Sequence, residues 1–133
     1  MQVDGRCFCG AIRFEAEADP ASCILCHCTD CQNLTGSAFR VIVRAPASSF
    51  RVLGGAPRSY LKIADSGTER LHAFCGACGS PVWAAAPIDP PIYSLRLGTL
   101  RQRAAFTPQR QQWRSSGFGW SQDISHLAAS EKG

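Results

Sequence analysis

Apolar and polar residues alternate along much of this chain with a period of two, the period of a β-strand. In residues 11–17, for example, Ile12, Phe14 and Ala16 alternate with charged residues. Such alternation predicts a strand with one face in the core and the other in water. Five further segments are rich in β-branched or aromatic residues and bounded by Gly, Pro or Ser, and they predict strands as well: residues 39–44, 60–63, 69–74, 81–85 and 92–97.

Only one short segment has a helical pattern. Residues 30–34 predict a helical turn, with Thr29 as the expected N-cap and Gly36 as the stop. Short strands with a single helical turn indicate a mainly β protein, and 133 residues are enough for a single domain with its own core. We expect residues 1–127 to form this domain and residues 128–133 to form a flexible C-terminal tail.

The charge and composition of the chain favour a small anionic partner. The net charge is +4, and the Lys and Arg residues are dispersed, unlike the dense basic surface of a nucleic-acid-binding protein. No apolar stretch approaches the ~20 residues that cross a bilayer. The residues after Met1 show no secretory signal pattern, so we expect a cytoplasmic location.

The strongest chemical signal is the set of eight cysteines. Cys7 and Cys9 are separated by one residue, Cys75 and Cys78 by two, and glycines beside each pair permit tight turns. Two such pairs complete a tetrahedral zinc shell. Because a shell of four thiolates is closed, these residues predict a structural zinc that ties the first strand to a distant one.

A second group, Cys26, Cys28 and Cys31, lies at the start of the predicted helical turn. Three protein ligands leave one coordination position for water or substrate, as in catalytic zinc sites. Cys23 either closes this shell as a fourth ligand or is a core thiol. Residues 23 and 26 of an extended segment point to opposite faces, which favours the core position.

A disulfide framework is the alternative explanation for an even number of cysteines in a short chain. Neighbours as close as Cys7 and Cys9, or Cys26 and Cys28, bridge poorly because disulfide geometry is strict. A chain expected in a reducing compartment also keeps its thiols available to metal ions. Zinc binding is therefore the favoured interpretation.

Three motifs, in order along nearly the whole chain, carry a resemblance to a known family. They are Gly5-x-Cys7-x-Cys9-Gly10-Ala11-Ile12-Arg13-Phe14, Cys26-His27-Cys28-Thr29-Asp30-Cys31-Gln32-x-x-Thr35-Gly36-Ser37-Ala38-Phe39 and Phe74-Cys75-Gly76-x-Cys78-Gly79-Ser80-Pro81. With them the chain resembles the glutathione-dependent formaldehyde-activating enzyme (Gfa) family, also called the centromere protein V (CENP-V)/Gfa family.

The resemblance implies a zinc-stabilised β-tent fold with two zinc ions, one structural and one catalytic. It implies that the structural ion is held by the first group and the catalytic ion by the second: Cys7, Cys9, Cys75 and Cys78 in the former, Cys26, Cys28 and Cys31 in the latter. Founding members add formaldehyde to glutathione to form S-hydroxymethylglutathione. The expected function is thus a carbon–sulfur lyase acting on a glutathione-type thiol adduct. The alternative is a non-catalytic zinc-binding interaction module.

The chain departs from the family pattern at one position. Relatives commonly place a histidine two residues before a tryptophan that follows a proline, and here Gln111 precedes Trp113 at that spacing. A potential base is therefore replaced by an amide.

Several other polar residues have both a functional and a simpler interpretation. His27 is expected to orient the second site or to pack, not to bind zinc. His72 is expected to be a surface or hydrogen-bonded core histidine. Arg40, Arg44 and Arg58 are candidates to bind the carboxylates of glutathione, and a solvated face is the simpler interpretation of each.

Overall fold

The computed structural model describes residues 1–133 and contains ten β-strands and one α-helix. The strands are β1 (Gln2–Arg6), β2 (Arg13–Glu17), β3 (Asp19–Cys26), β4 (Arg40–Pro46), β5 (Arg51–Gly54), β6 (Arg58–Ile63), β7 (Glu69–Phe74), β8 (Pro81–Ala85), β9 (Ile92–Arg96) and β10 (Arg110–Gln112). The helix is α1 (Thr29–Thr35), and short 3-10 helices occur at Ala47–Ser49, Leu97–Thr99, Arg103–Ala105, Arg114–Ser116 and Gly119–Gln122. The mainly β, single-domain prediction is confirmed. None of the helices is long and apolar enough to span a membrane.

The strands form two sheets. A three-stranded sheet has the order β1-β2-β5, and a seven-stranded sheet has the order β10-β3-β4-β9-β8-β7-β6. Neighbouring strands are antiparallel, except that β10 pairs in parallel with β3 at the edge of the larger sheet. This parallel pairing brings a C-terminal segment beside the residues that lead into α1.

One apolar core joins the two sheets. Phe14 of β2, in the smaller sheet, is fully buried and packs edge-on against Trp83 of β8, in the larger sheet, at 5.3 Å between ring centroids. Gly5 of β1 lies opposite Phe14, and a Cβ at this glycine would come within 2.3 Å of the Phe14 ring. Glycine at this position therefore leaves room for the Phe14 ring against the neighbouring strand.

The structure corrects the sequence prediction at the start of the helix. Thr29 is the first helical residue, and the N-cap is Cys28, whose Sγ accepts a hydrogen bond from the Cys31 amide. The predicted stop is confirmed, because Gly36 caps α1 in the left-handed region at φ 61°. Residues 128–133 contain no helix or strand, and the domain boundary after residue 127 stays a prediction.

Candidate metal centres

The first cysteine group forms where the ends of two distant strands meet. Cys7 and Cys9 follow β1, and Cys75 and Cys78 follow β7. Their four Sγ atoms all lie within 4.8 Å of one another, with 3.6 Å between Cys7 and Cys9 and 3.8 Å between Cys9 and Cys75. Zn–S bonds of about 2.3 Å in a tetrahedron give sulfur–sulfur separations of about 3.8 Å. The group therefore fits a zinc ion.

Hydrogen bonds from the surrounding turns favour the thiolate form of Cys7 and Cys78, whereas the neighbouring thiols raise the pKa of Cys9 to about 11. The Ile12 amide donates to Cys7 Sγ at 3.2 Å, and the Cys78 amide donates to Cys75 Sγ at 3.5 Å. The Ser80 hydroxyl, together with the amides of Cys9 and Ser80, lowers the pKa of Cys78 to about 5. Because a metal binds the thiolate form, these contacts prepare the group for a cation.

The second cysteine group lies at the junction between β3 and α1. Cys26 ends β3, Cys28 caps α1, and Cys31 lies in the first turn of α1. Their three Sγ atoms all lie within 4.8 Å of one another, and no further Cys, His, Asp or Glu joins them. This set of three thiols can hold a metal ion with three protein ligands.

Cys23 is not part of the second group. It belongs to the apolar core and is fully buried, and burial raises the pKa of its thiol. A buried thiol with a raised pKa is protonated at neutral pH and packs as a small apolar side chain. The structure thus places Cys23 in the core, as its position on an extended segment predicts.

A network of hydrogen bonds fixes the loop that carries the second group. His27 is buried, and its carbonyl oxygen accepts hydrogen bonds from Gln32 Nε2 and from the Ser116 hydroxyl, each at 2.9 Å. Its Nε2 lies 2.8 Å from the Oε1 of Gln111 on β10. Gln111, which replaces the histidine of the family pattern, therefore anchors His27.

The thiols of the second group differ in their readiness to ionise. Burial, reinforced by hydrogen bonding to Cys28, raises the pKa of Cys31 to about 12. Burial also opposes ionisation of Cys28, but the Cys31 amide, the neighbouring thiols and the Lys62 ammonium together lower the pKa of Cys28. Lys62 is held in place by an ion pair of 2.7 Å with Asp30 on α1. Cys28 is therefore the thiol of this group that ionises most easily.

Of the arginines named from the sequence, one lies buried beside this group. Arg40 is directly opposite Cys26 across the β3–β4 pair, whereas Arg44 is half-buried and Arg58 is exposed. Arg96 on β9 was not predicted, and it donates to the same His72 ring nitrogen as Arg40. His72 is thus hydrogen-bonded and half-buried, between the surface and core positions expected for it. Arg96 comes close to Arg40 through the pairing of β9 with β4, so no local sequence pattern identifies it as a neighbour of this site.

The fold and the two cysteine groups define a mainly β protein whose thiol clusters can hold metal ions. A family model described as glutathione-dependent formaldehyde-activating enzyme matches residues 2–116 of the chain. The chain belongs to this family, as its three motifs predict. It is also similar to the crystal structure of a Rhodobacter sphaeroides protein, with a TM-score of 0.62 and 24% identity over 82% of this chain and 99% of that chain. That similarity shows a shared fold.

Proposed function

We propose that this protein is a zinc-dependent carbon–sulfur lyase acting on the adduct of a glutathione-type thiol and a small aldehyde, with S-hydroxymethylglutathione as the expected adduct. The observation that supports this most directly is the three-cysteine group, Cys26, Cys28 and Cys31, to which no fourth protein ligand is added. A tetrahedral ion with three protein ligands keeps one position for a substrate. Membership of a family described as glutathione-dependent and formaldehyde-activating agrees with it.

In this proposal the two cysteine groups have separate roles. The first group holds a structural zinc with four thiolates: Cys7, Cys9, Cys75 and Cys78. Because its members come from sequence positions up to 71 apart, such an ion would stabilise the folded state directly. The second group holds the catalytic zinc, and its three cysteines are the residues we assign to the reaction.

A zinc ion in the second group would lower the pKa of a bound substrate thiol, so that the thiolate forms near neutral pH. The reaction joins the thiol sulfur to the aldehyde carbon, and the proton lost by the sulfur passes to the aldehyde oxygen. No other reactant is needed to form the adduct, and the reverse reaction breaks the same carbon–sulfur bond. The chain's own part is positional: the Cys31 amide holds Cys28 Sγ at 3.3 Å, and His27 is fixed by Gln111.

The test follows the approach to equilibrium of glutathione and formaldehyde by NMR exchange spectroscopy, with the uncatalysed rate subtracted. The zinc-loaded protein should accelerate the approach, and Cys31→Ala should return the rate to background because it removes one ligand of the catalytic ion. Cys23→Ala is the matched control, since it makes the same change at a buried thiol outside the group. It should keep the acceleration.

Two results would count against the proposal. Equal loss of acceleration in both variants, with both still folded by circular dichroism, would show that the second group is not specifically required. Absence of both glutathione binding and acceleration in a fully zinc-loaded wild type would favour the non-catalytic interaction module.

A further inference from the structure

A cluster of basic side chains lies beside the second cysteine group. It consists of Arg40 on β4, Arg70 and His72 on β7, and Arg96 on β9, and we call it the cationic cluster. His72 Nδ1 accepts hydrogen bonds from Arg40 Nη1 at 3.3 Å and from Arg96 Nη2 at 3.1 Å. These two bonds bring two guanidinium groups to one ring atom.

The strand register places this cluster and the thiols on one face of the larger sheet. Directly paired residues of adjacent strands project from the same face. Cys26 pairs with Arg40, and two residues further along β4 Ile42 pairs with Arg96. The Arg40 and Arg96 guanidinium groups both act electrostatically on the Cys31 thiol. The cationic cluster is therefore a neighbour of the second cysteine group.

No carboxylate of the chain forms an ion pair with the arginines of the cluster. Arg40 and Arg96 are only 6% and 8% exposed, and none of the ion pairs of the molecule involves Arg40, Arg70 or Arg96. The Nε atoms of Arg40 and Arg96 are buried without a hydrogen-bond partner. Buried charges are normally paired, because leaving one unpaired costs roughly several kcal/mol.

Burial and the crowding of like charges also affect the protonation of the cluster. Burial and the neighbouring Arg40 lower the pKa of Arg96 to about 9. Burial and the surrounding cations lower the pKa of His72 to about 4, so that its ring is neutral and accepts from both arginines. His72 and Arg70 are only half-buried, so the cluster is not sealed from solvent.

We infer that the cationic cluster binds a carboxylate of the thiol substrate whose sulfur occupies the second cysteine site, with Arg40 and Arg96 as the principal donors. Guanidinium groups match a carboxylate with paired, charge-assisted hydrogen bonds. The contact with these two arginines then determines specificity within the proposed substrate class, and a neutral thiol is a poor substrate. This inference rests on the proposed function, because it takes the sulfur to be bound at the second group.

The experiment compares two thiols of similar size, 3-mercaptopropionate and 3-mercaptopropan-1-ol, by calorimetric titration of the zinc-loaded full chain. The wild type should bind the carboxylate at least about tenfold more tightly than the alcohol, since charge-assisted hydrogen bonds are the stronger ones. Inorganic phosphate should compete with the carboxylate and leave alcohol binding nearly unchanged. These measurements need no variant.

Three variants then assign the preference to named residues. Arg96→Gln and Arg40→Gln should each reduce the preference for the carboxylate over the alcohol severalfold and leave the affinity for the alcohol unchanged. Because each variant is tested with both thiols, intrinsic differences between the thiols cancel. Arg103→Gln removes the same charge from an exposed position on a 3-10 helix and is the matched control. It should keep the wild-type preference.

The outcomes separate this inference from the proposed function. Equal binding of both thiols by the wild type would overturn the inference and leave the proposed function standing. A preference that survives both Arg96→Gln and Arg40→Gln in folded protein would also overturn it. Failure of the zinc-loaded wild type to bind either thiol would overturn the proposed function itself, and the inference with it.

Discussion

At the scale of single residues, local hydrogen bonds decide which thiols ionise. Cys23 and Cys28 lie five positions apart, yet burial raises the pKa of the first whereas amide and ammonium groups lower the pKa of the second. The Ser80 hydroxyl acts similarly on Cys78 in the first group. Cysteines that share one sequence neighbourhood therefore differ in chemistry because their donors differ.

His72 gives a residue-scale prediction about pH. Its ring is surrounded by charged groups from several elements: Arg40 on β4, Lys62 on β6, Arg70 on β7, Arg96 on β9 and Asp30 on α1. Burial and the four cations lower the pKa of His72 from 6.5 to about 4. Between these values the unfolded chain binds a proton that the folded chain does not. The stability contributed by neutral His72 is therefore complete above pH 6.5 and is lost as the pH falls towards 4.

The measurement is the free energy of unfolding by urea between pH 7 and pH 4 for the wild type and His72→Gln. Glutamine keeps a hydrogen-bond acceptor but does not titrate. The wild type should lose about 1–2 kcal/mol more than the variant over this range. Because both chains carry the same cysteines, the difference cancels effects of acid on metal binding. Parallel curves would contradict the prediction.

At the scale of elements, alternation in the sequence predicts the strands that have one buried face. In β2, Phe14 and Ala16 are buried while Arg13 and Glu17 are exposed, as the pattern requires. The strand β10 was not predicted, because all three of its residues are polar and it is defined by backbone pairing with β3. The other unpredicted strands are β1, β3 and β5. Pairing partners from distant parts of the chain carry information that local patterns lack.

The candidate site divides in the same way. The seven cysteines form two groups as predicted. Tight turns bring the close sequence neighbours together, whereas the fold brings the pair after β1 to the pair after β7. Arg96 and Lys62 were not predicted as neighbours of the second group. They come from β9 and β6, which lie two and five strands from β3 in the larger sheet. Only the tertiary fold brings them near Cys31, with α1 joined to β6 by the ion pair between Asp30 and Lys62.

Two glycines in the left-handed region give an element-scale prediction. Gly55, which follows β5, has φ +80°, and a Cβ there would come within 2.1 Å of the Ala11 carbonyl oxygen. Gly67 has φ +86° with nothing within 4 Å of that position, which makes it the matched control. Gly67→Ala should cost roughly 1–2 kcal/mol for the backbone conformation alone. Gly55→Ala should cost about 1–3 kcal/mol more for the clash.

Chemical denaturation of the two variants at one pH measures the difference. If Gly55→Ala and Gly67→Ala lose the same free energy of unfolding, the close approach between the end of β5 and Ala11 is wrong. That result would also question the pairing of β5 with β2.

At the scale of the whole molecule, the two cysteine groups occupy different structural positions. The first group links the end of β1, in the smaller sheet, to the end of β7, in the larger sheet. The second group lies on the larger sheet beside α1, next to the cationic cluster and to the C-terminal segment that carries Gln111 and Ser116. Our proposal therefore assigns the attachment of the two sheets and the chemistry on a substrate to separate parts of the fold.

In the proposed function, the second group holds a metal ion with a position open to a substrate thiol. The most direct measurement is a crystal structure of the zinc-loaded protein soaked with glutathione, with anomalous diffraction at the zinc edge. We expect two zinc ions, one bound by four cysteines and the other by Cys26, Cys28, Cys31 and the glutathione sulfur at about 2.3 Å. A second zinc whose shell is closed by a fourth protein ligand such as Cys23, with glutathione excluded, would contradict it.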